Sequence, residues 1–521
     1  MNTIRLNGLR GRAAVGLLAL AALFNACTSP NEAVRPDTPA GRNSRIPAEE
    51  LMFFVLTDGN SLNKKSLANP ATDVDVNMVT GLQDGEKLLG IDFRPATGQL
   101  YGLGSTSRIY VINPEDGKAR AIGTGPFSPS LNSEAVGFDF NPAADLIRVV
   151  TAAGQNLRIN PNTGMVVGNT ADPDINGGSS PAVSAVAYTN SRAGVTTTTL
   201  YDVDPASDRL FIQNPPNNGT LVQVGPLGKD IAATAGFDIS PDNAHALLAF
   251  TADGKAELGH LDLNTGKLHS IGSLGTGAVI GLAIPTEPVA FAVSGNTLLV
   301  FNPMNISPVA KTITGLQDGE TIRGIDLRPA TGQLYGLGTS SRIYTINTAT
   351  GAATAVGGPF TPALSGSDFG FDFNPMADLI RIISNTGQNL AVSPVTGAVT
   401  AAQTPINFGR PGDGPVVRAA AYSNNFAGTT STVLYDLDDL SDKLYRQIPP
   451  ASGTLVGGSP LGINFEATNG FDIGGMSNKA YALLTSAGST KLYEVDLNNG
   501  MLTPVGNFPT TVRGFALGLG F

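Results

Sequence analysis

The residues best suited to chemistry are six aspartates at matching positions in repeated segments such as Gly-Ile-Asp-Phe and Gly-Phe-Asp-Phe. They are Asp92, Asp139 and Asp238, then Asp326, Asp372 and Asp472. Carboxylates brought together could bind a cation or a polar ligand, or divide acid and base roles in hydrolysis of a sugar. The alternative interpretation is structural. An acid repeated from unit to unit can accept backbone N–H groups in the turn before the following proline and so serve the repeat itself.

A second candidate site lies in the longest repeated phrase, Ala-Tyr-x-Asn followed by an extended polar segment. Its members are Tyr188 and Asn190, with the counterparts Tyr422 and Asn424. Tyr and Asn on an exposed loop suit recognition of a sugar or peptide by stacking and hydrogen bonding. The chain has no Trp, which weakens a sugar-stacking site. The alternative is a structural loop that supports the adjacent unit.

A calcium loop is suggested by the Asp-x-Asp-x-Asn-Gly order of Asp172, Asp174, Asn176 and Gly177. Oxygen ligands at alternate positions and a Gly in the turn suit Ca²⁺. The twelfth position, which would need Glu, is Val183, and the second copy of the segment has lost the acids. A polar, glycine-rich turn is the alternative, and no other cofactor is indicated.

The sequence gives little support for catalysis by a nucleophilic side chain or by histidine. The chain has one cysteine, Cys27, and three histidines without metal-ligand spacing. No Gly-x-Ser-x-Gly motif accompanies them. The histidines all lie in the first half of the chain, so a histidine mechanism common to both halves is excluded.

The N-terminus has the features of a targeting segment. Arg5, Arg10 and Arg12 precede an apolar run from 13 to 24, which is too short to span a bilayer and fits a secretory signal. Ala26 stands directly before Cys27, an order that resembles a bacterial lipobox, in which the cysteine becomes the lipidated first residue. We therefore expect a lipoprotein signal peptide over 1–26 and lipid attachment at Cys27; the alternative is an ordinary signal peptide in which the cysteine occurs by chance.

Residues 27–50 are rich in Pro and polar side chains and are expected to form a flexible tether. Thr28 follows the cysteine. By analogy with enterobacterial sorting, where Asp at this place retains a lipoprotein in the inner membrane, Thr permits transfer to the outer membrane. The expected location is the cell envelope, with a lipid anchor in the membrane.

The rest of the chain consists of two homologous halves. The 15-residue segment that begins at Gly90 recurs at Gly324, 234 residues later, with 14 identities. Within each half a shorter unit of about 47 residues repeats. It comprises four short apolar segments separated by Gly, Pro and Asn turns, which is typical of strands.

Four-stranded units of this length are typical of β-propeller blades. Each half has four units that begin with a complete first strand and one unit, at the start of the half, that lacks its first strand. Each half also ends in a single strand that belongs to no unit, which we call the spare strand. The spare strands are 279–284 and 514–519. The sequence predicts an all-β chain with two five-bladed propellers in tandem, over 51–286 and 287–521. The alternative is one ten-bladed ring in which the spare strands pass between the halves.

Composition agrees with short strands and limits the partners. Gly accounts for 63 of 521 residues and charged residues for only 14%, which disfavours long helices. The formal net charge is −10 and no Lys/Arg run is present, so a nucleic-acid partner is excluded. The remaining partners are a membrane, through the anchor, and an unidentified protein or glycan.

The repeated phrases Gly-Phe-Asp-Phe-Asn-Pro, Gly-Gln-Asn-Leu, Ala-Tyr-x-Asn and Leu-Tyr-Asp-x-Asp resemble a bacterial exported family, domain of unknown function 4394. The resemblance covers both halves. It implies a secreted or envelope-anchored protein and assigns no activity.

Two functions remain open. The first is a non-enzymatic envelope lipoprotein whose propellers bind or scaffold a partner. The alternative is a carboxylate-dependent hydrolase that acts on a sugar or lactone in a propeller channel, which depends on the aspartate series alone.

Overall fold

The structure, a computed structural model, describes residues 46–177, 181–409, 414–466 and 470–521. The predicted signal peptide, Cys27 and the tether up to residue 45 lie outside the described residues. Within those ranges the chain forms forty strands and three short 3-10 turns, at Val167–Asn169, Pro216–Asn218 and Pro450–Ser452, and no α-helix. Accordingly, the described part contains no helix long and apolar enough to cross a membrane.

The strands form ten antiparallel sheets of four strands each. The first half contains sheets 1 to 5, built from β1 (Met52–Thr57), β2 (Ser61–Ser66), β3 (Asn69–Met78), β4 (Leu88–Phe93), β5 (Leu100–Gly104), β6 (Arg108–Ile112), β7 (Ala119–Ile122), β8 (Val136–Asn141), β9 (Leu146–Thr151), β10 (Asn156–Asn160), β11 (Met165–Val166), β12 (Ala185–Tyr188), β13 (Leu200–Asp204), β14 (Arg209–Gln213), β15 (Leu221–Pro226), β16 (Ala233–Ile239), β17 (Ala246–Ala252), β18 (Lys255–Leu261), β19 (Leu268–Ser273) and β20 (Val279–Ala283).

The second half repeats this order in sheets 6 to 10. Its strands are β21 (Ala290–Ser294), β22 (Thr297–Asn302), β23 (Asn305–Thr312), β24 (Ile322–Leu327), β25 (Leu334–Gly338), β26 (Arg342–Ile346), β27 (Ala353–Val356), β28 (Phe369–Asn374), β29 (Leu379–Ser384), β30 (Asn389–Val392), β31 (Val399–Ala402), β32 (Val417–Tyr422), β33 (Leu434–Asp438), β34 (Lys443–Gln447), β35 (Leu455–Pro460), β36 (Gly470–Ile473), β37 (Ala480–Ser486), β38 (Ser489–Val495), β39 (Leu502–Asn507) and β40 (Gly514–Leu517).

Most sheets are formed by four consecutive strands, so each is a local meander. Sheets 2 to 5 are β4–β7, β8–β11, β12–β15 and β16–β19, and sheets 7 to 10 are β24–β27, β28–β31, β32–β35 and β36–β39. Tight turns between strands use left-handed residues, for example Asp145 at φ 53° and Gly98 at φ 72°. Such conformations favour Asp, Asn and Gly, which explains the turn composition.

Sheets 1 and 6 differ because each includes the last strand of its own half. Sheet 1 has the order β20-β1-β2-β3, and sheet 6 has the order β40-β21-β22-β23. Phe54 pairs with Ala283 in the first half, and Phe291 pairs with Ala516 in the second. The pairing predicted from the two spare strands is therefore confirmed, and it stays within each half.

One strand of each sheet contacts the corresponding strands of two other sheets, and we call it the inner strand. In the first half β20, β4, β8, β12 and β16 contact one another in that order, and β16 contacts β20. In the second half β40, β24, β28, β32 and β36 do the same, and β36 contacts β40. The hydrophobic cores lie between neighbouring sheets; Tyr101, Phe138 and Val149, for example, join sheets 2 and 3.

The described end of the predicted tether is bound to sheet 5. The N–H of Ile46 donates to Asp242 Oδ2 at 2.7 Å, and its carbonyl oxygen lies 2.8 Å from His245 Nε2. Residues 46–50, counted with the tether in the sequence interpretation, thus belong to the folded part.

Close packing of the inner strands gives a testable prediction at Gly236. Its φ is 139°, and an added Cβ would lie 2.3 Å from the backbone nitrogen of Leu282 on β20. We expect Gly236→Ala to lower the free energy of unfolding by about 3 kcal/mol, from overpacking and backbone strain. Urea denaturation measures the change. Gly277→Ala is the matched control, because no atom lies within 4 Å of its added Cβ. Equal stability of the two variants would contradict the prediction.

Candidate functional site

The six predicted aspartates form two clusters, one in each half. Asp92, Asp139 and Asp238 stand on inner strands β4, β8 and β16, and one oxygen from each lies within 4.8 Å of the others. The second cluster contains Asp326, Asp372 and Asp472, with the same spacing limit. All six side chains are buried, with at most 2% of their surface exposed. The aspartate spacing in the sequence therefore does correspond to spatial convergence.

The carboxylates of the first cluster bind backbone N–H groups of neighbouring sheets. Asp92 Oδ2 accepts from Phe140 of β8 at 2.8 Å, and Asp139 Oδ1 accepts from Tyr188 of β12 at 3.1 Å. Asp238 Oδ2 accepts from Ile284, directly after β20, at 2.6 Å. Since an inner strand has a ladder partner on one side only, these bonds join the inner strands of different sheets.

The second cluster repeats these contacts at similar distances. Its acceptor–donor pairs are Asp326 with Phe373 at 2.8 Å, Asp372 with Tyr422 at 3.1 Å and Asp472 with Leu517 at 2.6 Å. In both halves the first and third aspartates also accept the N–H of the residue that follows them. Both halves therefore use the same aspartate contacts between their inner strands.

Asparagines connect the remaining neighbouring sheets. Asn190 and Asn243 exchange two hydrogen bonds of 2.7 Å and link sheet 4 to sheet 5. Asn60 Oδ1 accepts from Leu88 N at 2.9 Å and links sheet 1 to sheet 2. In the second half Asn424 and Asn478 form the same reciprocal pair. The structure thus places Asn190 and Asn424 in contacts between sheets.

Burial raises the pKa of every clustered aspartate. For Asp139 the charges of Asp92 and Asp238 raise the pKa further, since like charges oppose ionisation. The pKa of Asp238 and that of Asp472 each rise to about 7. Three such carboxyls can be accommodated by shared protons or by one cation, whose oxygen ligands at about 2.4 Å would fit the spacing.

Catalysis by these acids would require access for a substrate. The inner strands approach so closely beside the first cluster that the cavity lined by Gly90, Gly137 and Gly236 has a volume of about 10 Å³. The corresponding cavity of the second half is equally small. Such a space holds at most about one water molecule, so a sugar or lactone has no room there.

Comparison with known proteins places both halves in one family. The family model described as Domain of unknown function (DUF4394) matches residues 61–283 and again 297–516. The chain belongs to this family. No curated protein matches the sequence significantly. A crystal structure of a structural-genomics target from Lactobacillus plantarum aligns with 64% of this chain and 98% of its own, at 13% identity and a TM-score of 0.29. At that TM-score the likeness informs neither fold nor function.

The two predicted site tyrosines of the DUF4394 segments lie inside the molecule. Tyr188 is 1% exposed, and its hydroxyl accepts a bond from Arg148 Nε at 3.4 Å. Tyr422 is fully buried and is bound in the same way by Arg381, at 3.2 Å. Neither side chain is available to stack on an external sugar or peptide.

Sequence reasoning missed a further buried acid, outside the cluster, in each DUF4394 segment. Asp202 and Asp436 are fully buried, and neither oxygen of either carboxyl has a hydrogen-bond partner among the described residues. Burial raises the pKa of both. The amide oxygens of Gln213 and Gln447 are similarly unpaired. A neutral carboxyl would offer an O–H donor in these surroundings. Both acids belong to the repeated phrase Leu-Tyr-Asp-x-Asp, and this repetition is the sequence feature from which they could have been found.

The calcium candidate has other contacts. Asp172 binds Arg148 at 2.9 Å and Arg158 at 2.7 Å, so its carboxylate is neutralised by two arginines. Asn176 uses its amide nitrogen to bond the carbonyl oxygens of Asp174 and Asn218. The neutralised carboxylate of Asp172 favours the polar-turn interpretation.

The raised aspartate pKa values predict a pH dependence of stability. An acid whose pKa is higher in the folded than in the unfolded state binds more protons when folded, so stability is lost as pH rises from about 4 through about 7. We expect the melting temperature in EDTA to fall between pH 5 and pH 8. Asp139→Asn and Asp372→Asn should each reduce that fall, because they remove one of three repelling charges.

The control for this titration is Asp262→Asn. Backbone N–H groups lower the pKa of Asp262, so it stays ionised throughout the window and its replacement should leave the slope unchanged. A melting temperature that is constant or rises from pH 5 to pH 8 would contradict the prediction. Recovery of stability at pH 8 on addition of CaCl₂ would indicate that a cation, and not protons, neutralises the clusters.

Proposed function

We propose that the chain is an exported lipoprotein of the bacterial cell envelope, and that its two halves form a rigid, non-enzymatic binding or scaffolding module. The lipobox-like order at Cys27 and the short apolar run before it support the anchor. Thr28 favours the outer membrane. The partner on this proposal is a protein, a glycan or another ligand of the envelope.

The observation that carries the module proposal is the use of the repeated polar residues. The six repeated aspartates, and the asparagines Asn190 and Asn424, form hydrogen bonds between sheets, with the acids at most 2% exposed. Aspartates and asparagines that bind neighbouring sheets make the scaffold more rigid, and their polar atoms are not available to a substrate. Recognition then depends on the outer surfaces and on the space between the halves.

We further propose that each half closes into one five-bladed propeller. The inner strands of a half contact one another in cyclic order, and β20 and β40 pair with the first strand of their own half. Closure within a half leaves no exposed inner edge, which avoids edge-to-edge aggregation. The same pairings speak against the ten-bladed alternative, which needs β20 and β40 to exchange between halves.

Engineered disulfides test the closure. With Cys27→Ser, the chain has no thiol, and Phe54→Cys with Ala283→Cys then introduces one adjacent pair. Directly opposed strand residues have Cα atoms about 5 Å apart, a distance that a disulfide spans. We expect a disulfide within single chains, detected as a linked peptide by mass spectrometry after mild oxidation.

Two further pairs complete that experiment. Phe291→Cys with Ala516→Cys should crosslink in the same way, since these residues are paired in the second half. Phe54→Cys with Ala516→Cys should stay reduced. Crosslinking of this last pair, with both others reduced, would establish exchange between the halves and a ten-bladed ring.

Replacement of the cysteine tests the anchor. We expect the Cys27→Ser chain to be recovered from the soluble fraction of the envelope, whereas the unaltered chain sediments with membranes, because the thioether-linked lipid supplies the membrane affinity. Cell fractionation followed by immunoblotting measures the distribution.

The control for fractionation is the Ser29→Ala variant. Ser29 is two residues after Cys27, so the cysteine thiol that carries the lipid is unchanged. This variant should sediment with membranes. A Cys27→Ser chain that also sediments would overturn the lipid anchor, and metabolic labelling with a palmitate analogue would show whether any lipid is attached elsewhere.

A further inference from the structure

A large cavity lies between the two halves. Its volume is about 710 Å³, within the range of ordinary small-molecule sites. One wall comes from sheet 2 of the first half, including Leu100, Val111 and Arg120. The opposite wall comes from the second half, including Phe426, Met476 and Phe521. Each half alone supplies only part of this cleft.

Hydrogen bonds between the two halves connect the walls of the cleft. Gly520 N donates to Thr97 O at 2.8 Å, beside the cavity. Thr348 Oγ1 donates to Asp145 Oδ2 at 3.2 Å, and Arg94 Nη1 lies 3.4 Å from Gly332 O. The space is therefore bounded by residues that are already connected, so a ligand would enter a largely preformed site.

Two cations line the cleft, Lys118 and Arg120, and Arg120 has no ion pair among the described residues. Its half-buried guanidinium has five N–H donors, and the hydrogen bond found for it among the described residues is a long one, 3.5 Å to Ala121 O. Asp378, whose charge acts on Arg120, is bound by two nitrogens of Arg328. A partly desolvated arginine with free donors is suited to a carboxylate, which it can bind bidentately.

The other charges of the cleft largely cancel. Lys118 pairs with Asp116 at 2.7 Å, and Glu115 lies 3.9 Å from Lys64. Arg120 is thus the lining cation that has no ion pair among the described residues, and the main-chain oxygen of Phe521 on the opposite wall is already bound by the N–H groups of Met476 and Ser477. The opposite wall includes the Phe426 side chain, which is 39% exposed and offers an apolar surface to a ligand.

The equivalent loop of the first half gives an internal comparison. Phe426, Ala427 and Gly428 correspond to Arg192, Ala193 and Gly194, which line a smaller cavity of about 350 Å³ together with Glu287. The polar Arg192 has thus been exchanged for an apolar ring at the large cleft alone. This difference favours an apolar ligand body at the 710 Å³ cleft and not at the smaller cavity.

We propose that the cleft between the two halves binds a small organic carboxylate with an apolar body, its anionic group on Arg120 and its body against Phe426 and Met476. The inference rests on the proposed function, since it names the ligand class of the binding module. No covalent step is involved.

Isothermal titration of the purified full-length Cys27→Ser chain tests this, with decanoate as the probe at concentrations below its micelle threshold. We expect saturable binding of decanoate. Inorganic phosphate, which has the charge without the body, and decyltrimethylammonium, which has the body without the negative charge, should not saturate the site. Arg120→Gln should weaken decanoate binding tenfold or more, and Phe426→Ala should weaken it severalfold.

Arg209→Gln, on sheet 4 and outside the cavity lining, is the matched control and should bind decanoate like the parent chain. Melting curves of all variants report whether the fold is retained. Absence of saturable decanoate binding, or equal binding by Arg120→Gln in a folded chain, would overturn the inference. Such a result, with the fractionation and disulfide outcomes as expected, would leave the proposed module in place and remove only this ligand class.

Discussion

The fold depends on hydrogen bonds between inner strands that no sheet ladder can supply. Each inner strand pairs with one neighbour in its own sheet, so its other side presents backbone N–H groups to the next sheet. Aspartate satisfies them well, because one carboxylate accepts from its own strand and from the next, as Asp92 does with Phe93 and Phe140. The cost is electrostatic. Three acids converge within 4.8 Å, away from water, and their pKa values rise in consequence.

Asparagine appears where a further acid would add to this repulsion. The reciprocal pair Asn190–Asn243 supplies both donors and acceptors without charge, and it recurs as Asn424–Asn478. Sheet 4 has Ala187 on its inner strand where its neighbours have aspartate, and there the link passes to the asparagine pair. Each half thus has three clustered acids, whose charges repel one another, and further contacts between sheets are made by uncharged asparagines.

The sequence was sufficient for the parts of this arrangement that recur locally. Internal repeats predicted ten units of four strands, the pairing of the spare strands and the convergence of the aspartates. It was insufficient for contacts whose partners are distant along the chain, even where the residues themselves recur in both halves. From the sequence, Asn190 is interpreted as a loop residue, because its partner Asn243 is 53 positions away. Asp202 reads as an ordinary strand residue, because full burial without a partner leaves no mark on local alternation.

Duplication separates two kinds of constraint in this chain. Residues between sheets within a half are preserved, since each half must satisfy the same buried N–H groups. Residues facing the other half experience different surroundings in the two copies and have diverged, as Arg192 and Phe426 have. Some contacts within a half differ as well: Asp172, which pairs with Arg148, has no acidic counterpart in the second half, where Arg381 instead binds the neutral oxygens of Asn389 and Gln403. A ligand held where the copies meet would contact one surface from each half, an asymmetric site that neither half could form with its own residues.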